Sequence, residues 1–140
     1  MRTAAGVLAR YGIPLAANQV HYSLLHRKPE TDGVLDACRQ MDVALVAYRP
    51  IGGGAISVGS PGDPGRPALA DTIRELAAAR SATAAQVALA WLLKRDDHVI
   101  PIPGATRPDH VRENSGALSL KLSDEEFAAI DRVSAPTPAR

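Results

Sequence analysis

A chain of 140 residues is long enough for one domain with a real core and too short for two ordinary ones. Its 16 Lys plus Arg against 15 Asp plus Glu leave a formal charge of +1, which excludes a global field able to hold nucleic acid or an anionic membrane surface. Any positive site must be local. Cys38 is alone, which excludes an internal disulfide. No apolar window approaches the roughly 20 residues of a membrane span. The expectation is a soluble cytoplasmic protein without a nucleic-acid or membrane partner. Aromatics make up only 4% while Ala is abundant, so the core must be built from Leu, Val, Ile and Ala, as in layered α/β architecture.

The residues before Gly12 read as a helix remnant, and residues 14–22 (PLAANQVHY) as a short strand. Residues 31–41 place Val34, Leu35, Cys38 and Met41 at helical spacing, with Thr31 or Asp32 as cap. Residues 43–48 (VALVAY) form a continuous apolar run of the length expected for a strand covered on both faces. Gly and Pro dominate residues 49–67, which predicts a long loop too flexible to pack, especially near 52–67. A helix is predicted over 68–80, with Leu69, Ile73, Leu76 and Ala77 on one face. Thr83 and Gln86 are spaced as a capping box opening the apolar run AAQVALAWLLKR, and Ser123 with Glu126 repeats that device before SDEEFAAIDRV. Alternating strands and helices of this kind predict a parallel sheet, open or closed, with ligand loops at the strand C-termini.

Residues 99–114 (VIPIPGATRPDHVREN) hold the clearest chemical signal. Val99, Ile100 and Ile102 make a strand interrupted by Pro101 and Pro103, which lack amide donors and favour an edge, a bulge or a strand end. Gly104 allows a close turn. Thr106 suits an N-cap and Pro108 the first helical turn, and the helix then runs to about Leu118. Free amides and the positive end of the helix dipole make that point an anion site, with Arg107, His110 and Arg112 around it. The alternative is an αβ turn that binds nothing.

Three segments together carry a family resemblance: NQVHYSLLHR at 18–27, VALVAYRPIGGG at 43–54, and AQVALAWLL running into VIPIPGATRPDHVREN. They resemble the aldo-keto reductases over nearly the whole chain. The resemblance implies part of a (β/α)8 barrel, about three parallel strands with flanking helices, and a nicotinamide cofactor, usually NADPH with NADH possible, used to reduce aldehydes or ketones. It also implies a set of cofactor contacts. Gln19 matches the amide that bonds the nicotinamide carboxamide, and Tyr48 the aromatic that stacks on the ring. Arg49, Pro50, Ile51 and Gly52 match the pyrophosphate turn, with Arg49 in place of a small hydroxyl; it adds a phosphate contact or crowds the nicotinamide. Gly104, Ala105, Thr106, Arg107 and His110 match the surroundings of the adenosine 2′-phosphate, and Glu113 and Asn114 lie near the adenine. His110 stands where the family often has Arg, so NADPH preference leans on Arg107. Arg112 is expected on a solvent-exposed helix face.

The family's proton chemistry uses an Asp, a Tyr, a Lys and a His from earlier strands, and none of this chain's residues matches those positions. No catalytic residue is therefore assigned. His21 and His26 flank YSLL and are expected as loop or surface residues. No metal site is expected. Three strands alone leave bare edges and an uncovered barrel interior. Three readings follow: the C-terminal part of a reductase complemented by a separate N-terminal half, a non-catalytic nucleotide-binding module, or a structural protein that self-associates.

Overall fold

A computed structural model describes residues 1–56 and 66–136. The elements are α1 (Arg2–Ala9), β1 (Ala17–His21), α2 (Val34–Met41), β2 (Ala44–Tyr48), α3 (Pro67–Ala79), α4 (Ala84–Arg95), β3 (Val99–Ile102), α5 (Pro108–Gly116) and α6 (Asp124–Ser134). The strands pair in parallel in the order β1-β2-β3. Parallel neighbours require a crossover, supplied by α2 between β1 and β2 and by α3 with α4 between β2 and β3. The result is α/β architecture, three β/α units of a partial (β/α)8 barrel.

Register decides which side chains share a face. Gln19 pairs with Val46 and Val46 with Ile100, while His21 pairs with Tyr48 and Tyr48 with Ile102. The other parity, Leu45, Ala47 and Val99, is buried against the helices. Residues 43–48 are therefore covered on one face, not on two as their apolar run suggested. The helical layer lies on one side of the sheet, and among the described residues no helix covers the other. The Leu45 amide donates to the His98 carbonyl at 2.7 Å, so amides at even positions of β3 point at β2 and those at odd positions point outward. Pro101 and Pro103 thus lack their donors only on the outer edge, and no ladder bond is lost.

Both capping boxes form. Thr83 accepts from the Gln86 amide at 3.2 Å while the Gln86 side chain accepts from the Thr83 amide, and Ser123 with Glu126 does the same at α6. Gln86 does a second job: its Nε2 donates to the Glu113 carbonyl at 2.8 Å and pins α5 to the start of α4. A Cβ at position 116 would lie 2.4 Å from that nitrogen, so Gly116 leaves the room for it. α4 buries Val87, Ala88, Leu89, Trp91 and Leu92 between the sheet and the other helices.

Several predicted boundaries move. Gly33, at φ 80°, caps α2 instead of Thr31 or Asp32, although Asp32 Oδ1 still accepts from the Val34 amide. Gly52–Gly54 form a short 3-10 turn where a flexible loop was expected, because glycine tolerates the positive φ values that turn needs. At the far side of that segment Arg66 donates to the carbonyls of Leu24 and Ser134. The centre of the predicted loop, residues 57–65, lies outside the described residues.

A charged cluster joins the segment after β1 to the helices. Arg27, its side chain 4% exposed, donates Nε and Nη2 to Glu30 at 2.7 and 2.6 Å and Nη2 to Asp131 Oδ1 at 2.8 Å. Its Nη1 reaches Ser134 and the Asp131 carbonyl in α6, Arg95 of α4 binds both carboxylates, and the Tyr22 hydroxyl donates to Glu30 at 2.8 Å. Trp91 lies beneath both guanidinium groups, 4.9 Å from Arg27 and 5.8 Å from Arg95. Burial pushes the Glu30 carboxyl up, but its bonds to Arg27 and Tyr22 and the charge of Arg95 outweigh that and hold it below its ordinary 4.5. Burial first, and then the Glu30 charge, push the Tyr22 hydroxyl well above its ordinary value.

Removing Arg27 leaves the buried Glu30 carboxylate and the half-buried Asp131 sharing one cation, so Arg27→Ala is expected to lose about 3 kcal/mol in urea unfolding. Because the Glu30 pKa is depressed on folding, its contribution is complete above the ordinary carboxylate value of 4.5 and disappears as pH falls through the lower folded value. Denaturation midpoints measured from neutral to acid solution should fall in that window, and should fall less in the Glu30→Gln variant. Gly116→Ala is expected to displace the Gln86 amide and cost about 1–2 kcal/mol, read from the same unfolding curves.

Candidate functional site

Most residues singled out for cofactor contact follow the C-terminal ends of β2 and β3, while Gln19 lies mid-strand in β1 and Glu113 and Asn114 lie within α5. Gln19 and Tyr48 share the uncovered face, because Gln19 pairs with Val46 and Tyr48 follows two residues later. The Gln19 side chain is exposed and makes no hydrogen bond among the described residues, so its donor and acceptor are both available. Tyr48 is 39% exposed. An amide and an aromatic ring on one open face can bind a planar group bearing a carboxamide.

The turn after β2 follows directly. Arg49 adopts a left-handed backbone at φ 52°, and Pro50 is fully buried. Pro50 therefore shapes the turn and offers a ligand little of its ring, in contrast to the contact expected of it. Ile51 and Gly52 are half-buried. The Arg49 guanidinium lies over the glycine turn, where a Cβ at Gly53 would sit 2.7 Å from Nη2, and one at Gly52 would meet Leu25 at 2.8 Å. Both glycines also have positive φ, and the space their missing Cβ atoms leave is taken by the Leu25 and Arg49 side chains, so the turn carries a cation against its backbone.

The third part is the connection from β3 to α5. Gly104, Ala105, Thr106, Arg107 and His110 are all exposed. The helix is capped at Arg107 and not at Thr106, because Pro108 takes the first helical position and sets the cap immediately before itself. No side chain bonds the cap, so amides at the helix start have no side-chain acceptor. Asp109 in the first turn pairs with Arg112 at 2.9 Å and with Arg107 at 3.7 Å. Both pairs are well exposed and weak, so Arg107 can exchange Asp109 for a dianion at small cost. Arg112 lies on the exposed helix face. Glu113 and Asn114 are half-buried one turn further on, the Glu113 carbonyl already held by Gln86.

His21 and His26, expected as loop or surface residues, pack together where β1 ends, and His21 lies against Tyr48. His21 and His26 are half-buried, stacked on one another with centroids 4.2 Å apart, and His21 also stacks on Tyr48 at 5.2 Å. The sheet register puts His21 beside Tyr48. The turn from Ser23, with the Ser23 and His26 amides and carbonyls bonded reciprocally, folds His26 back over it. The strand parity of Gln19 and His21 was the available signal. Burial, then the charges of His26 and Arg49, hold the His21 imidazole below its ordinary value. Among the described residues no group of three or more His, Cys, Asp or Glu could hold a metal ion, and no single helix is long and apolar enough to cross a membrane.

The pattern of the Aldo/keto reductase family matches residues 2–135. The aldo-keto reductase yakc of Schizosaccharomyces pombe, named for NADP(+), is 38% identical over 134 residues, spanning 79% of this chain and 39% of the yeast protein. Pyridoxine 4-dehydrogenase of Escherichia coli is 35% identical over 116 residues, spanning 83% of this chain and 36% of the bacterial protein. The chain thus spans well under half the length of these relatives. Among solved structures, a thermostable aldo-keto reductase bound to the inhibitor epalrestat superposes with a TM-score of 0.77 at 35% identity, over 94% of this chain and 44% of that one. An aldo-keto reductase from Klebsiella pneumoniae in complex with NADPH gives 0.74 at 36%, over 89% and 41%. With its strand register, glycine turn and exposed helix start all in place, the chain belongs to the aldo/keto reductase family.

Proposed function

We propose that this chain carries the nucleotide-binding part of an NADPH-dependent aldo-keto reductase, which interconverts aldehydes or ketones with alcohols. The observation that carries this reading is the shared open face of Gln19 and Tyr48, with the Arg49–glycine turn continuing from β2 and the α5 N-terminus following the neighbouring β3. Similarity to a protein solved with NADPH supports it. In this reading Tyr48 stacks on the nicotinamide and Gln19 bonds its carboxamide. Arg49, Ile51 and Gly52 line the pyrophosphate on the turn that Pro50 shapes. Gly104, Ala105, Thr106, Arg107 and His110 receive the 2′-phosphate, and Glu113 and Asn114 border the adenine. Of the two roles open to Arg49, its place over Gly53 favours phosphate contact over crowding.

When bound, the nucleotide supplies a hydride. The protein residues position its ring, neutralise its phosphates and keep water from one ring face. Carbonyl reduction also needs a tuned proton donor, and no residue here matches the family's Asp, Tyr, Lys and His. We assign that donor, and the covering of the bare sheet face, to the remaining strands of a barrel. The sheet face that would then be interior already carries the Gln19 and Tyr48 pair. A second reading, a non-catalytic module that self-associates, is favoured by the exposure of Ile100 and Ile102, 49% and 41%, on that same face. The two readings share a cytoplasmic setting.

Titration with NADPH, following nucleotide fluorescence, is expected to show saturable binding. Arg107→Ala should weaken NADPH about tenfold and NADH hardly at all, because only NADPH carries the 2′-phosphate that the guanidinium meets. No saturable binding at millimolar protein would sink the nucleotide reading, and a defined dimer in sedimentation that ignores nucleotide would establish the second.

A further inference from the structure

Three rings stand in a column where β1 and β2 end. His26 lies on His21 with planes 5° apart, and His21 lies on Tyr48 with centroids 5.2 Å apart and planes at 19°. Each member is fixed by backbone. His21 and Tyr48 are register partners, and the Ser23 turn, whose hydroxyl accepts from the Leu25 and His26 amides, sets His26. One side of the Tyr48 ring is thus occupied by an imidazole, while 39% of the residue stays exposed.

We propose that His26, His21 and Tyr48 form a continuous stack on whose open end the nicotinamide ring sits, and that the charge on this stack discriminates oxidised from reduced nucleotide. The inference rests on the nucleotide reading above. The oxidised nicotinamide ring is a cation and the reduced ring is neutral. Neutral imidazoles behind Tyr48 present only π faces, which tolerate or attract a cationic ring. A protonated imidazole in the column repels the oxidised ring and leaves the reduced one nearly unaffected. Histidine is the side chain whose charge changes in the range where this matters.

The groups facing His21 are His26 from the turn after β1, and Tyr48 and Arg49 from the end of β2; Ile102, beyond Tyr48, bears no charge. Burial, His26 and Arg49 all disfavour a proton there, so His21 is neutral in neutral solution and charges only below its ordinary 6.5. In neutral solution the stack accepts both nucleotide forms; in acid it favours the reduced form. His21 acts as a positioning residue, since it works through the Tyr48 ring.

The test measures dissociation constants for NADP+ and NADPH near neutrality and at steps down to about pH 5, the range in which histidine as a residue type changes charge. In the unaltered chain the oxidised-to-reduced ratio of dissociation constants is expected to rise about tenfold on acidification. Ionisation of the 2′-phosphate cancels in that ratio, since both forms carry it. In the His21→Phe/His26→Phe double variant, whatever its absolute affinity, the ratio should no longer move with pH. His26→Phe alone, a milder change, should show a reduced swing and serves if the double variant fails to fold. A ratio flat with pH in the unaltered chain overturns the discrimination while leaving the nucleotide site standing. An undiminished swing in either variant overturns the role of the column. Binding of neither nucleotide at any of these pH values overturns the site and the column together.

Discussion

The fold depends on one buried guanidinium. Arg27 sits between the carboxylates of Glu30 and Asp131, on the face of Trp91, and so ties the segment after β1 to α4 and α6. A charge so deeply buried is costly to desolvate. Here Nε, Nη1 and Nη2 all donate, Arg95 shares the same two carboxylates, and the aromatic face takes part of the field. The cluster matters because of where it lies. Ile130 in the core, Phe127 stacked on Trp91 and the Arg80–Glu126 pair also hold α6, and Arg27 adds its tie to the segment after β1.

The segment from Tyr22 to Glu30 serves the interior and the site together. Tyr22 and Arg27 turn inward to the charged cluster, while His26 turns outward to stack on His21. The ring column and the ion cluster therefore share a backbone of a few residues. A change that loosens one will move the other, and mutational effects at the two should not add.

Much of this was readable in the residues because it is local. Thr83 with Gln86 and Ser123 with Glu126 announce their helices by spacing alone, and both capping boxes form. Pro101 and Pro103 favour an edge, a bulge or a strand end, and among the described residues β3 is an edge. Periodicity could not tell whether residues 43–48 are covered on one face or two, because the run is apolar throughout and only the helix layer decides. Thr106 lost the cap to Arg107 because a proline at the first helical position outweighs a favourable hydroxyl one residue early. Gln19 and Tyr48 were reached through family resemblance, and register then set them on one face. The His21 and His26 column depends on pairing between strands far apart in sequence, which no single segment displays.

The two prolines of β3 have a consequence for assembly. The outer edge of β3 presents carbonyls at 99, 101 and 103 but no free amide, because 101 and 103 are prolines and the Val99 amide already donates to the Asp96 carbonyl at 3.0 Å. Such an edge accepts hydrogen bonds and hardly donates them. Two copies of this edge laid together would face each other with acceptors and too few donors, so open-ended joining through β3 is disfavoured. Whatever strand adds there must bring its own N–H groups, a demand that makes the border selective without a single charged side chain in β3.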